Sequence, residues 1–269
     1  MVSSDGGCLK SRRRRFDMGQ EISPNLWQVG GSGISDPEDA AIYLIRFGDS
    51  AALINAGCGN SHEILKSNIA RCIPETVPIG YLLLTHCHFD HTGGAEAVRD
   101  EYGCQIVAHA LDTVYLEAGD SEVTGASWYG TTMRPLTVDV KIKGDSQTIS
   151  IGKGAMTAHH WPGHSPGSLV YTTEMEGKKI LFGQDVHGPI HPSLRSDARA
   201  YQTSLRRLLE MEADILCEGH YGIFRGKEAV QRFIRSFIAS GLPPASADTR
   251  LGQARTYGTL SCESDYVRA

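Results

Sequence analysis

Within six residues the chain places three histidines and one aspartate, His86-x-His88-x-Asp90-His91. Imidazole and carboxylate together suit zinc, iron or manganese better than a thiolate-loving ion. In an extended segment residues two apart point the same way, so His86 and His88 can grip one ion. Asp90 and His91 then lie past the bend, able to face a second ion nearby. One loop cannot complete two such sites, and the remaining ligands must come from elsewhere. The chain offers His164 in Pro162-Gly163-His164-Ser165-Pro166-Gly167, Asp185 after Leu181-Phe182-Gly183-Gln184, and His220 in Cys217-Glu218-Gly219-His220. Each follows an apolar run and sits beside glycine or another turn former, where backbone can bend towards a metal.

Other residues compete for attention. Gly163-His164-Ser165-Pro166-Gly167 also matches the G-x-S-x-G elbow of serine hydrolases, with Asp185 and His220 following in triad order. That mechanism needs a backbone N–H on the residue after the serine. Here that residue is Pro166, which has none, so Ser165 is read as a turn hydroxyl. Cys87 points opposite to its histidine neighbours in an extended segment and reads as a small core residue. His159 and His160 read as strand positions, and His109 as a turn histidine. His187 and His191, soon after Asp185, are candidates for the substrate pocket or for hydrogen bonds to a ligand. Trp128, Tyr129 and Tyr221 are further pocket candidates.

The five motifs together resemble the metallo-β-lactamase-fold hydrolases, which include the glyoxalase II enzymes. The resemblance covers residues 20–240 with the motifs in the family's order. It implies an α/β fold, an αββα four-layer sandwich of two mixed sheets flanked by helices, with the site at one edge of the paired sheets. It implies His86, His88 and His164 around a first divalent ion, Asp90, His91 and His220 around a second, and Asp185 bridging them. Zinc is the first expectation, iron and manganese the alternatives. The implied reaction is hydrolysis of a carboxylic ester, thioester or lactone by a bridging hydroxide, with Asp90 orienting the nucleophile and passing a proton to the leaving group. A phosphodiesterase, a β-lactamase or an iron-dependent oxidoreductase on the same fold are the alternatives. Two departures stand out. Where the family commonly carries Asp, this chain reads Leu53-Ile54-Asn55-Ala56-Gly57, and a long helical substrate domain is not expected after His220, which argues against glutathione thioesters.

Positioning these ligands requires strands that end at them. Residues 40–47 and 51–55 read as a hairpin about 48–50, 81–84 as a buried strand running into His86, and 104–109 as the next strand. Strand-like runs follow at 140–144, 147–152 and 155–161, with 168–174 pairing to 178–183 and 214–220 ending in His220. Helices are expected over 61–72, 93–103, 197–211 and 226–238. Residues 117–136 have no clean period and read either as a lid or as a poorly ordered stretch. The domain expectation is a basic N-terminal segment over 1–19, a catalytic domain over 20–241 and a tail or strap over 242–269.

The whole chain has 269 residues, 41% hydrophobic and 21% charged, ample for a substantial core and too apolar for a disordered chain. Its net charge of −5 argues against a nucleic-acid partner, despite four consecutive arginines at Arg12 to Arg15. No apolar run approaches the roughly 18 residues of a membrane span. Seven cysteines, an odd set without a CxxC pair, point to a reducing cytoplasm. A small-molecule substrate is the expected partner, and a homodimer is left open.

Overall fold

The structure is a computed structural model that describes residues 19–239. The arginine run and the segment from 242 onward lie outside the described residues. Two sheets carry the chain. The first runs in sequence order: β1 (Gln20–Ser23), β2 (Leu26–Gly30), β3 (Ile42–Phe47), β4 (Ser50–Ile54), β5 (Ile79–Leu83), β6 (Gln105–His109) and β7 (Val140–Ile142). The second comprises β8 (Ser146–Ile151), β9 (Gly154–His160), β10 (Leu169–Met175), β11 (Lys178–Phe182), β12 (Ile215–Cys217) and β13 (Ile223–Arg225), laid side by side in reverse order. Both are mixed, with β4 to β7 parallel in the first and β11 parallel to β12 in the second.

Side-chain alternation explains the layering. Along β4, Ala51 and Leu53 enter one apolar cluster, while Ala52 and Ile54 enter another. Strand β5 does the same, with Leu82 on the first face and Leu83 on the second. The second cluster lies between the sheets, where Ile45, Ile54, Leu83 and Val107 join Met156, Tyr171, Ile180 and Phe182. The first is closed by Leu65 and Ile69 of α1 (His62–Cys72), Val98 of α3 (Ala95–Tyr102) and Leu116 of α4 (Ala110–Ala118). A third forms where Leu205 and Leu208 of α5 (Ala198–Glu210) and Val230 and Ile234 of α6 (Lys227–Ala239) meet Val170, Leu181 and Leu216. Three apolar interfaces separate four layers, which is an αββα sandwich.

The expected turns hold where backbone chemistry requires them. Glu176 and Gly177 both take positive φ, 49° and 69°, the conformation that reverses β10 into β11 in two residues. The expectation for 117–136 needs correction. This stretch begins inside α4, contains a 3-10 turn at Ala126–Tyr129, and sends Val123, Ala126, Met133 and Leu136 into the core. It lacks a period because its apolar residues anchor turns rather than a regular element. The strand expected over 214–220 stops at Cys217, and the short β13 was not anticipated.

His109 ends β6 and caps α4, its Nδ1 accepting from Leu111 N at 3.3 Å. Its ring stacks on His160, centroids 3.7 Å apart and planes within 10°. Burial, and then the neighbouring His160, lowers its pKa to about 4 from 6.5. The unfolded chain therefore binds a proton that the native ring refuses, so stability falls as pH drops from 6.5 towards 4. His109→Asn keeps a capping acceptor and removes that proton. Denaturant unfolding at pH 7 and pH 4.5 should show the variant losing less stability than wild type; an equal loss in both would contradict the assignment.

Candidate metal centre

Four strand ends converge at one edge of the sandwich. Strand β5 runs through Leu84 and Thr85 into His86, and His88 immediately precedes the one-turn helix α2 (Phe89–Thr92), which carries Asp90 and His91. His164 lies in the loop from β9 to β10, Asp185 follows β11, and His220 follows β12. Gly219 is obligatory for this approach, because a Cβ there would overlap Asp185 Oδ1.

The seven residues that spacing singled out come together in two overlapping sets. His86, His88, His164 and Asp185 form one, Asp90, His91, Asp185 and His220 the other, with ligand atoms in each set within 4.8 Å of one another. Asp185 belongs to both. Its Oδ2 lies 3.4 Å from His164 Nε2 and 3.3 Å from His220 Nε2, and its Oδ1 3.1 Å from His91 Nε2. Asp90 Oδ2 is 3.2 Å from His220 Nε2. All but His220 are buried.

Donor chemistry tests whether a cation fits. His164 Nδ1 faces the Pro189 carbonyl at 2.9 Å, and His86 Nδ1 faces Thr85 Oγ1 at 3.0 Å. That hydroxyl gives its own proton to Asn55 Oδ1, 3.1 Å away, so it accepts from the ring. Both rings thus keep their proton on Nδ1 and turn bare Nε2 lone pairs towards each other at 3.2 Å. Two lone pairs at that distance repel unless a cation shares them. His88 Nε2 is also buried without a hydrogen-bond partner. The residues fit a cation.

Electrostatics point the same way. Burial, reinforced by neighbouring imidazoles, holds His86 and His88 well below the usual histidine range, leaving neutral ligands. Burial alone would raise Asp90, but His91 and His220 outweigh it and bring it to about 2. Asp185 is likewise held low against burial by His220 and His91. His220 is raised against burial by Asp185 and Asp90.

Several residues that brace this cluster escaped the sequence reading. Asp112 of α4 is buried and accepts from Cys87 N at 2.9 Å, Ser165 Oγ at 2.6 Å and Gly167 N at 2.6 Å, tying the His86–His88 and His164 loops together. Glu218 does the same for the other two loops. It accepts from Val186 N at 3.0 Å, His220 N at 2.6 Å and Tyr221 N at 2.7 Å, with His187 Nδ1 at 3.0 Å. Burial raises Asp112, although Ser165 and two backbone N–H groups oppose it; burial would also raise Glu218, but its bond to His187 brings it below the usual range. Ser165 is spent on Asp112, as a turn hydroxyl should be, and Cys87 sits in the core.

The pocket candidates divide. Tyr129 packs on Phe89 with centroids 5.7 Å apart, and burial, then the Asp90 charge, pushes its phenol up. His187 lies beside His220 and Tyr221, with centroids 5.1 and 4.9 Å apart. His191 and Trp128 contact each other, centroids 5.4 Å apart, and His191 Nδ1 is turned towards Ser193 Oγ at 2.8 Å. A cleft of about 310 Å³ lined by Phe89, Met133, Arg134 and Leu136 includes none of the seven clustered residues.

Residues 35–220 match the sequence profile of the metallo-beta-lactamase superfamily. The chain belongs to this superfamily. Within it, the chain is 28% identical over 225 residues to the acyl-coenzyme A thioesterase MBLAC2 of Gallus gallus, spanning 74% of this chain and 78% of that protein. It is 31% identical over 143 residues to a hydroxyacylglutathione hydrolase of Anaeromyxobacter dehalogenans (strain 2CP-C), spanning 53% of this chain and 45% of the other. Among solved structures, BJP-1, a subclass B3 metallo-beta-lactamase of Bradyrhizobium japonicum, superposes with a TM-score of 0.68 at 22% identity, covering 83% of this chain and 92% of its own. The fold and the hydrolase character of this metallo-beta-lactamase superfamily member are therefore established, and no described helix is long and apolar enough to cross a membrane.

Zinc titration of the metal-free protein should saturate at two ions per chain. His220→Ala should reduce that to one, since it strips only the second set; saturation of wild type at one ion would contradict a shared Asp185.

Proposed function

We propose that the chain is a two-metal hydrolase of carboxylic esters, thioesters or lactones, with acyl thioesters the foremost class. The observation that carries this reading is the pair of ligand sets joined at Asp185. Bound there, two divalent ions would acidify a water to a pKa of about 7 and polarise the substrate carbonyl. Zinc suits the neutral imidazoles and carboxylates, with iron or manganese as alternatives. The thioester preference draws on the thioesterase relatives, which match across most of the chain.

The protein's own groups do the rest. His86, His88 and His164 would hold one ion, Asp90, His91 and His220 the other, and Asp185 would serve both. Asp90, ionised at neutral pH, orients the attacking water and carries its proton to the leaving group. His187 and Tyr221, beside His220, and Tyr129, facing Asp90, form the substrate side of the site. The catalytic domain spans 20–241. The five described cysteines are all free, which supports a reducing cytoplasm.

Asp90→Asn keeps size and an oxygen but removes the charge. Its kcat should fall about 10²–10⁴-fold at saturating zinc, whereas Ser165→Ala should stay within roughly tenfold because no acyl-serine forms. Reversed behaviour of the two variants would sink the metal-water mechanism.

A panel of acyl thioesters, aryl esters, lactones, a phosphodiester and a β-lactam should show highest kcat/KM on a thioester, ester or lactone. Zinc-loaded protein should turn over without oxygen or reductant; activity confined to iron and dependent on oxygen would replace hydrolysis with redox chemistry.

A further inference from the structure

The imidazoles of the cluster do not have equivalent partners at their second nitrogen. His86 and His164 each give an Nδ1 proton to an oxygen and keep Nε2 free. His91 Nδ1 instead lies 2.9 Å from Asn55 Nδ2. Thr85 fixes which end of the Asn55 amide faces the ring. Its backbone N–H points at the other end from 3.0 Å, and its hydroxyl from 3.1 Å, so that end must be the accepting oxygen. The NH2 end is left to donate to His91. An imidazole accepting at Nδ1 carries its proton on Nε2, and a proton on both nitrogens would set N–H against N–H. His91 Nε2 is the atom aimed into the second ligand set, 3.1 Å from Asp185 Oδ1 and 3.6 Å from Asp90 Oδ2.

We propose that Asn55 is a positioning residue that makes the Asp90–His91–His220 site the weaker of the two, by holding His91 in the tautomer whose lone pair points away from the ion. The inference rests on the two-ion reading above. An ion at that site must forgo His91 or displace its Nε2 proton and forfeit the Asn55 hydrogen bond. His86 and His164 of the first site carry no such penalty, since their Nδ1 partners are an accepting hydroxyl and a carbonyl. The enzyme therefore holds one ion firmly and a second that exchanges, so the fraction of active molecules follows free metal concentration.

Asn55→Asp tests this directly. Asn55 has φ of 63°, a left-handed conformation that Asn and Asp both tolerate. An aspartate there keeps an acceptor for Thr85 and turns a second acceptor to His91, which can then protonate Nδ1 and free Nε2. Hydrogen-bond partners of metal ligands typically change metal affinity about 10–100-fold. Zinc titration of the metal-free full chain with a competing chelator should give two ions in wild type, the second bound at least about tenfold more weakly. In Asn55→Asp the second affinity should rise about 10–100-fold and the first stay within about threefold, with His220→Ala identifying which ion is which. Long-range ¹H–¹⁵N correlations of the imidazoles in metal-free protein should place the His91 proton on Nε2 in wild type and on Nδ1 in the variant. The wild-type spectrum decides the tautomer even if the variant does not fold. Equal wild-type affinities, a parallel rise at both sites from added charge alone, or a wild-type His91 proton on Nδ1 would each overturn the proposal. Saturation at one ion in both proteins would overturn the two-ion reading itself, and this inference with it.

Discussion

A single buried carboxylate organises the site. Asp185 stands within 3.4 Å of imidazole nitrogens from three separate segments, at His91, His164 and His220. An ionised group in such a place is costly unless positive charge or donors surround it. His220, raised well above the usual histidine range by Asp185 and Asp90, supplies part of that positive charge from the protein itself. Every nearby loop has to arrive at a fixed distance from this one group, which is why the bracing is so extensive. Glu218 and Asp112 supply it, each using both carboxylate oxygens to accept backbone N–H groups from two loops at once.

The two sheets divide the labour. His86, His88, Asp90 and His91 leave the first sheet through β5, while His164, Asp185 and His220 leave the second through β9, β11 and β12. The apolar layer between the sheets fixes their separation, and side-chain alternation along β4 and β5 sets which residues enter it. Packing of that layer, to which Leu83 and Phe182 both belong, thereby limits how far the strand ends carrying the clustered residues can move.

Much of this was legible in the sequence because the signals are local. Two histidines two residues apart on a strand end, followed by an acid and a third histidine at a bend, carry their geometry in their spacing. The isolated members of the cluster, His164, Asp185 and His220, were legible because each ends an apolar run at a turn former. Helices α5 and α6 were legible from their apolar stripes. Asp112 and Glu218 were not, because an acid in the first turn of a helix or beside a glycine looks like an ordinary cap or turn residue. Their partners are backbone N–H groups brought close only by the tertiary fold. The same limit hid the anchoring of 117–136, whose buried residues follow no period, and β13, whose three residues are too few to show one. Asn55 was visible as a change of charge, but its consequence depends on Thr85 and His91 meeting it in space.

The distribution of ligands across both sheets also bears on how the chain reaches its native state. His86 and His88 are close enough in sequence to hold an ion in an unfolded chain, but His164 and His220 come from far along it. Contacts between such distant segments form late, because the intervening chain must first lose its freedom. An ion captured early by the His86–His88 segment would therefore wait, half coordinated, for the second sheet to dock. Once docked, it would act as a rivet through the apolar seam. Pulling the two sheets apart would then require breaking coordination as well as exposing the core, so metal would slow unfolding more than it hastens folding.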